Sequence, residues 1–227
     1  MSTSRDIVLA SVRRSLGVTS GEAPRRQAVD DRLKGHPAGV VPARGQLAPA
    51  ERLALFKDKV VAAAATLDHL PSTAEVPGAI AAYLRARNLP ATLLRGADPR
   101  LAALPWQNEP QLDVWIGPSD GRQLVGLSHA LGGVAESGTL VLLSGPDNPT
   151  TLNFLPDHHL VVVDARDVAG DYETLWTRIR ALFPEGPLPR EVNWITGPSR
   201  SADIEQTLLL GAHGPRSLHV LLVGEAG

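Results

Sequence analysis

Three short stretches carry the side chains whose types and spacing could do chemistry. The first is Gly197-Pro-Ser-Arg-Ser-Ala-Asp-Ile-Glu205, which follows the apolar run Val192–Thr196. The pattern predicts a buried strand, a tight Gly-Pro-Ser turn and a helix opening near Ser201. Ligands of open α/β sheets bind at the carboxyl ends of strands, and a helix start offers unpaired N–H groups and a positive dipole end. Ser199, Ser201 and the amides of the turn at Gly197 could therefore hold a carboxylate or phosphate, with Arg200 adding a bidentate fork. Asp203 and Glu205 fall in the expected first helical turn and already answer its dipole, which weakens a simple phosphate cradle. An ordinary strand–turn–helix with a serine cap has the same spacing.

The second stretch is Gly132-Gly-Val-Ala-Glu-Ser-Gly-Thr139. Its glycines permit tight turns or close backbone approach to a ligand. Glu136 stands directly before a strongly apolar segment, where a buried carboxylate can serve as nucleophile or general base. Ser137, Gly138 and Thr139 would line the same place. No Gly-Lys-Ser/Thr follows, so this is not a Walker loop, and a strand follows where a dinucleotide fingerprint requires a helix. A glycine-rich turn with an incidental acid is the plain alternative.

The third is the polar loop from Ser144 to His159, rich in turn formers, a common setting for a binding lip. Asn153, His158 and His159 are its candidate contacts. Adjacent histidines on a strand point to opposite faces, so at most one of them reaches a given site. The remaining histidines (36, 69, 129, 213 and 219) show no metal-ligand spacing, and no metal is expected. No Gly-x-Ser-x-Gly elbow is present, which lowers the hydrolase option.

The elements that must position these residues follow from pattern. Of 227 residues, 43% are hydrophobic and 20% charged, and the net charge is −2. That is ordinary for a soluble domain and argues against a general nucleic-acid binder. There is no cysteine, so the chain forms no disulfide and supplies no thiolate to zinc or an iron–sulfur cluster. No signal-peptide core and no membrane-length apolar run is present, and a cytoplasmic location is expected.

Residues 4–16 place Val8, Leu9, Val12 and Leu16 on one helical stripe, which would pack on its own domain or dock on a partner subunit. From Val18 to Ala48 prolines and glycines suggest a linker or loosely held arm. The expected division is therefore an N-terminal helix and flexible arm over 1–48 and an α/β domain over 49–227. Leu53, Phe56, Val60, Ala63/Ala64, Leu67 and Leu70 read as one buried helical face. Ser72-Thr-Ala-Glu75 matches a capping box before a helix that buries Ile80, Tyr83 and Leu84. Seven strands are expected at Ala91–Leu94, Val114–Ile116, Leu124–Leu127, Thr139–Leu143, Leu160–Val163, Val192–Thr196 and Leu218–Val223. Several are apolar on both faces, as covered parallel strands should be. Helices at Tyr172–Phe183 and Ala202–Leu210 complete an alternation that implies a mostly parallel, doubly wound α/β sheet. The stretch Val114–Leu143 lacks a helix, so hairpin or mixed pairing is expected there.

At Ala135-Glu-Ser-Gly-Thr-Leu-Val-Leu142, Leu155-Pro-Asp-His-His-Leu-Val-Val162 and Gly197–Glu205, the chain resembles the lactate-utilisation protein C group, or LUD domain. The likeness continues through Leu210-Gly-Ala-His-Gly-Pro-Arg216 and Leu218–Val223 and covers roughly residues 50–225. It implies a Rossmann-like sheet flanked by helices, akin to the sugar-phosphate isomerase and CoA-transferase superfamily. It also implies a part in oxidising L-lactate to pyruvate beside partner subunits, one a predicted iron–sulfur oxidoreductase. A chain without cysteine fits a non-redox accessory subunit that binds a small anionic ligand and carries no cofactor. Two other readings stand beside this one. One is a transferase or ligase acting on a carboxylate or thioester through Glu136, by analogy with superfamily members that use a glutamate nucleophile. The other is a module that senses lactate or pyruvate.

Overall fold

The computed structural model describes residues 3–19, 21–184, 186–201, 209–211 and 213–225. These fall into two compact units, 1–40 and 41–227. The first unit holds α1 (Ser4–Ser15) and α2 (Ala23–Gly35). Thr3 and Asp6 close a reciprocal capping box at the start of α1, satisfying two amide donors that a helix start leaves open. The stripe residues Val8, Val12 and Leu16 are exposed. Residues 23–35 form a helix where irregular chain is expected, because Pro24 sits in the first turn and tolerates helix there.

In the second unit α3 (Pro49–Ala62) precedes strand β1 (Thr66–Leu70). The expected single helix over Leu53–Leu70 is therefore wrong in its second half. Ala64 adopts a left-handed φ of 65°, which ends the helix, and Leu67 and Leu70 continue the spacing by coincidence. The rest of the order is α4 (Val76–Ala86), β2 (Thr92–Arg95), α5 (Pro99–Ala102), β3 (Asp113–Ile116), β4 (Val125–His129), β5 (Gly132–Val134) and β6 (Thr139–Leu143). Then come α6 (Thr150–Phe154), β7 (His158–Asp164), β8 (Val168–Ala169), α7 (Tyr172–Leu182), β9 (Val192–Ile195), β10 (Arg200–Ser201), β11 (Leu209–Leu210) and β12 (Ser217–Val223). Ser72 makes no side-chain cap bond; the chain enters α4 through a single 3₁₀ turn instead, so the expected capping box does not form.

Strands in the order β1-β12-β7-β4-β2-β3 build a six-stranded sheet in which every pairing is parallel. Its central strands are apolar on both faces because both are covered. Val161 and Val163 of β7, with Val220 and Leu222 of β12, pack against Phe56 and Val60 of α3 and against Leu140 and Leu142 of β6. The alternate residues Leu160, Val162, Leu221 and Val223 face Val76, Ile80 and Leu84 of α4. Truncating one such fully buried leucine to alanine costs roughly 2–5 kcal/mol.

A second sheet, β8-β5-β6-β9, stacks on the first through Leu140 and Leu142. Its outer face, with Val134, Val141 and Ala169, is closed by Leu175 and Ile179 of α7. β5 and β6 form the antiparallel hairpin expected between Val114 and Leu143. β9 pairs antiparallel with β6 at the edge of this second sheet; it is not a strand of the parallel sheet. β10 and β11 form a separate two-stranded antiparallel ladder.

Candidate functional site

Arg200 and Ser201, where the helix is expected to open, are tied into a β ladder, and the expected helix beyond them falls on residues 202–208, outside the described residues. Arg200 and Ser201 pair with Leu210 and Leu209, the Ser199 amide donates to the Pro215 carbonyl at 2.8 Å, and the Gly211 amide donates to Ser199 at 2.9 Å. Leu209 and Leu210, expected at the helix end, are strand residues. Asp203 and Glu205 lie outside the described residues, as does the rest of 202–208. With β9 outside the parallel sheet, the carboxyl-end argument does not apply to this turn; the helix-dipole argument rests on residues 202–208, which lie outside the described residues.

A cavity nevertheless forms beside it. About 280 Å³ in volume, it is lined by Asn153 and His159 as well as Gly197, Ser199 and Arg200. The structure thus brings together members of two of the three stretches. Gly197 has a φ of 71°, and a Cβ there would come within 2.2 Å of the Ala63 carbonyl oxygen, so only glycine lets the turn press on the end of α3. Arg200 donates from Nη2 to that same carbonyl, satisfying an acceptor that a helix C-terminus leaves open. Its other N–H groups make no hydrogen bond among the described residues.

Under this turn lies a buried relay. His159 Nε2 stands 3.0 Å from Ser128 Oγ, which stands 3.1 Å from Asn153 Oδ1. At the outer ends, His159 Nδ1 and Asn153 Nδ2 are buried without partners among the described residues. If the serine donates toward Asn153, the free ends are an acceptor on His159 and a donor on Asn153. With the amide turned over and the chain reversed, they exchange roles. Either direction leaves one free donor and one free acceptor. Burial pushes the His159 pKa down to about 3, so the ring is neutral. As expected for neighbours on a strand, His158 points elsewhere, its Nδ1 3.0 Å from the Tyr83 hydroxyl.

The Gly132–Thr139 stretch is placed differently from its reading as a ligand loop. Gly132 and Gly133 lie in β5, and the close approaches they permit are to protein: a Cβ on Gly133 would meet the Phe56 ring at 2.7 Å. Gly138, with a φ of 71°, is pressed on the Lys59–Val60 backbone of α3. Thr139 Oγ1 is bonded to the hydroxyls of Ser137, Tyr172 and Thr196 at 2.8, 2.8 and 2.6 Å. Ser137 and Thr139 therefore touch the cavity only through Thr196, which lines it.

Glu136 does not line that cavity. Its side chain is 3% exposed and sits 3.2 Å from Arg44 Nη2, itself 65% exposed. The contact pairs charge without hydrogen-bond geometry, so Glu136 Oε2 has no hydrogen-bond partner. The Glu136 amide donates to the Gly170 carbonyl at 3.2 Å.

Ser128, Thr196, Tyr172 and Arg44 are the residues that sequence reasoning missed. A signal existed for Ser128: it is a polar residue inside the buried run Val125-Gly-Leu-Ser-His129, where an unpaired hydroxyl would be costly. Among the described residues no group of three or more His, Asp or Glu is arranged to hold a metal ion.

Comparison with known proteins places the chain in context. The model of the LUD domain matches residues 54–223. The chain is 30% identical over 123 residues to Lactate utilization protein C of Shouchella clausii, covering 51% of this chain and 54% of that one. To Lactate utilization protein C of Bacillus subtilis it is 35% identical over 102 residues, covering 44% and 42%. An uncharacterized protein of Neisseria meningitidis is 35% identical over 115 residues, covering 51% and 48%. The chain thus spans about half the length of the curated relatives it matches. Among solved structures, a DUF162 family protein from Deinococcus radiodurans aligns with a TM-score of 0.60 at 28% identity, covering 78% of this chain and 99% of that one.

Proposed function

The chain belongs to the LUD-domain family, and on that premise we propose that it serves L-lactate utilisation by binding a small hydroxy or keto acid at the Gly197–Arg200 turn. The observation that carries this reading is the His159–Ser128–Asn153 relay, which ends in one free donor and one free acceptor beside the cavity. A 2-hydroxy acid matches such a pair: its carboxylate accepts from the relay's free donor and from Arg200, and its hydroxyl donates to the free acceptor. Ser199 and Thr196 add hydroxyls to the same wall. Relatives named Lactate utilization protein C support the choice of acid.

In this reading the chain is the accessory, non-redox subunit. Electrons from lactate pass to partner subunits of the iron–sulfur type, since a chain without cysteine offers no thiolate for such a cluster. No helix among the described residues is long and apolar enough to cross a membrane, and we place the protein in the cytoplasm with those partners. Isothermal titration of the full chain with L-lactate and with pyruvate tests the proposal. Saturable binding that weakens in Asn153→Ala is expected; flat titrations with both acids at millimolar concentration would remove it.

A second reading rests on Glu136, a buried carboxylate whose counter-charge comes from the exposed Arg44. Displacement of Arg44 would free the carboxylate to attack an acyl thioester, releasing the thiol and leaving an acyl anhydride on Glu136. Hydroxylamine trapping after incubation with an acyl-CoA panel tests it, a Glu136 hydroxamate being the expected product.

A further inference from the structure

The parallel sheet has its own crevice, away from the Gly197–Arg200 turn. β2 leads on to β3 at one edge, whereas β4 leads on to β7 in the opposite direction, and β2 and β4 are neighbours. A reversal of this kind opens a gap at the carboxyl ends of the strands, which is where open α/β sheets bind ligands. Here it leads into a cavity of about 540 Å³ that includes Asp98, Arg100, His129 and Asn148 in its wall.

The polar groups of that wall have fixed roles. Arg100 grips the buried Asp98 with Nε at 3.0 Å and Nη2 at 2.7 Å, so these two wall charges are paired with each other, and Asp147 in the facing loop adds a negative charge to the wall. His129 Nδ1 lies 2.9 Å from the Ala130 carbonyl, which can only accept. The neutral ring therefore carries its proton on Nδ1 and presents Nε2 as an acceptor. Nε2 makes no hydrogen bond among the described residues, and Asp164 Oδ2 lies 4.0 Å from it. Burial, and then the Arg100 charge, hold the His129 pKa below the ordinary histidine value, which keeps the ring neutral. Asn148 is oriented the same way: Nδ2 lies 3.4 Å from the Leu143 carbonyl, and Oδ1 is buried without a partner.

Two acceptors without donors among the described residues, in a wall whose one described cation is already paired, select a ligand that donates hydrogen bonds and disfavour an anion. An unmatched buried acceptor such as Asn148 Oδ1 is costly, and a donating ligand removes that cost. Much of the remaining wall is apolar, including Leu131, Leu143, Pro146 and Phe183. A large, mostly apolar cavity with a few placed polar groups suits a ligand well above the size of a three-carbon acid. We infer that this crevice is a second ligand site, and that it takes an uncharged molecule of nucleoside size. The ligand's hydroxyl or amino hydrogens are donated to His129 Nε2 and Asn148 Oδ1, and its flat face lies on Pro146 and Phe183.

Adenosine is the probe, titrated calorimetrically into the full chain, with ribose as the control lacking a flat base and 5′-AMP as the charged control. Saturable adenosine binding is expected, with both controls about tenfold weaker or more. Leu182→Trp, at the exposed rim of the cavity, and Asn148→Ala are each expected to weaken adenosine about tenfold, on the scale of one lost buried contact. The rim variant keeps an unchanged melting temperature, so its loss reports the site rather than the fold. The inference is overturned by no adenosine binding at millimolar concentration, by 5′-AMP binding more tightly than adenosine, or by full affinity in both variants. L-Lactate binding at the Gly197–Arg200 turn is expected to persist in Leu182→Trp, so the two sites fail separately.

Discussion

Asn153 and His159 share no direct hydrogen bond, yet the Ser128 hydroxyl joins them at 3.1 and 3.0 Å into a single polar chain. All three side chains are buried, so the hydroxyl is the group that fixes the orientation of the other two. Ser128→Ala removes it and strands Asn153 Oδ1 and His159 Nε2 in the core. Unmatched buried groups cost roughly 1–3 kcal/mol each. The expected result is a loss of about 2 kcal/mol or more in urea unfolding, together with weaker L-lactate binding by calorimetry. Ser128→Thr, which keeps a hydroxyl, is expected to retain more of the binding than alanine.

The histidines of this core make stability depend on pH. Burial lowers His159 to about 3, and burial, partly opposed by Asp68, lowers His219 to about 4. Both sit below the unfolded value of about 6.5. Above that value neither state binds the proton and there is no effect. Below it the unfolded chain takes up protons that the native chain refuses, so stability falls with each step down in pH. The slope is about 1.4 kcal/mol per pH unit for each histidine, acting from about pH 6.5 down to the folded pKa. Urea midpoints measured at pH 7, 6 and 5 are expected to drop progressively, and the drop is expected to be shallower in His159→Gln. A flat profile between pH 7 and 5 would contradict the assignment.

Much of this architecture is legible in the sequence, and the failures have physical causes. Strands β7 and β12 are read correctly because runs such as Leu160–Val163 and Leu218–Val223 are apolar on both faces, which only a strand covered on two sides requires. β1 is lost because Thr66–Leu70 is an edge strand, largely exposed, and so lacks period-two alternation. The left-handed turn before it is made by Ala64, a residue with no turn signature. The Gly197–Ser201 region is read as strand–turn–helix because Ser and Asp resemble caps, while Arg200 and Ser201 take ladder partners ten and eight positions away, at Leu210 and Leu209. Site residues follow the same rule. Asn153, His159, Ser199 and Arg200 announce themselves by type, but Ser128 joins the candidate site only when β4 is laid beside β7.

Glycines in the Gly132–Thr139 hairpin are expected to matter for folding. Gly138 combines a φ of 71° with a Cβ position 2.6 Å from the α3 backbone. Gly138→Ala therefore meets both backbone strain, about 1–3 kcal/mol, and a clash that no flexible side chain can relieve. A melting-temperature loss on the order of 5 °C or more is expected for a domain of this size. Gly145→Ala has open space and no positive φ, and it is expected to melt like the wild type.

Arg44 and Glu136 separate the two functional readings. Because Arg44 is largely exposed, solvent screens much of its pairing energy, and Arg44→Ala is expected to cost only about 1 kcal/mol. Glu136 lies outside the cavity that Asn153 and Arg200 line. Glu136→Gln keeps the shape and removes the charge, so L-lactate affinity is expected to stay within about twofold of wild type. Asn153→Ala, by contrast, removes one end of the relay and Arg200→Ala removes a donor to the bound carboxylate, and each is expected to weaken binding about tenfold, the scale of a charge-assisted hydrogen bond. Calorimetry on the three variants decides the matter. Loss of binding in Glu136→Gln with retention in Asn153→Ala would move the acid-binding site from the Gly197–Arg200 turn to the β5–β6 hairpin, where the Arg44 guanidinium would become its anion partner.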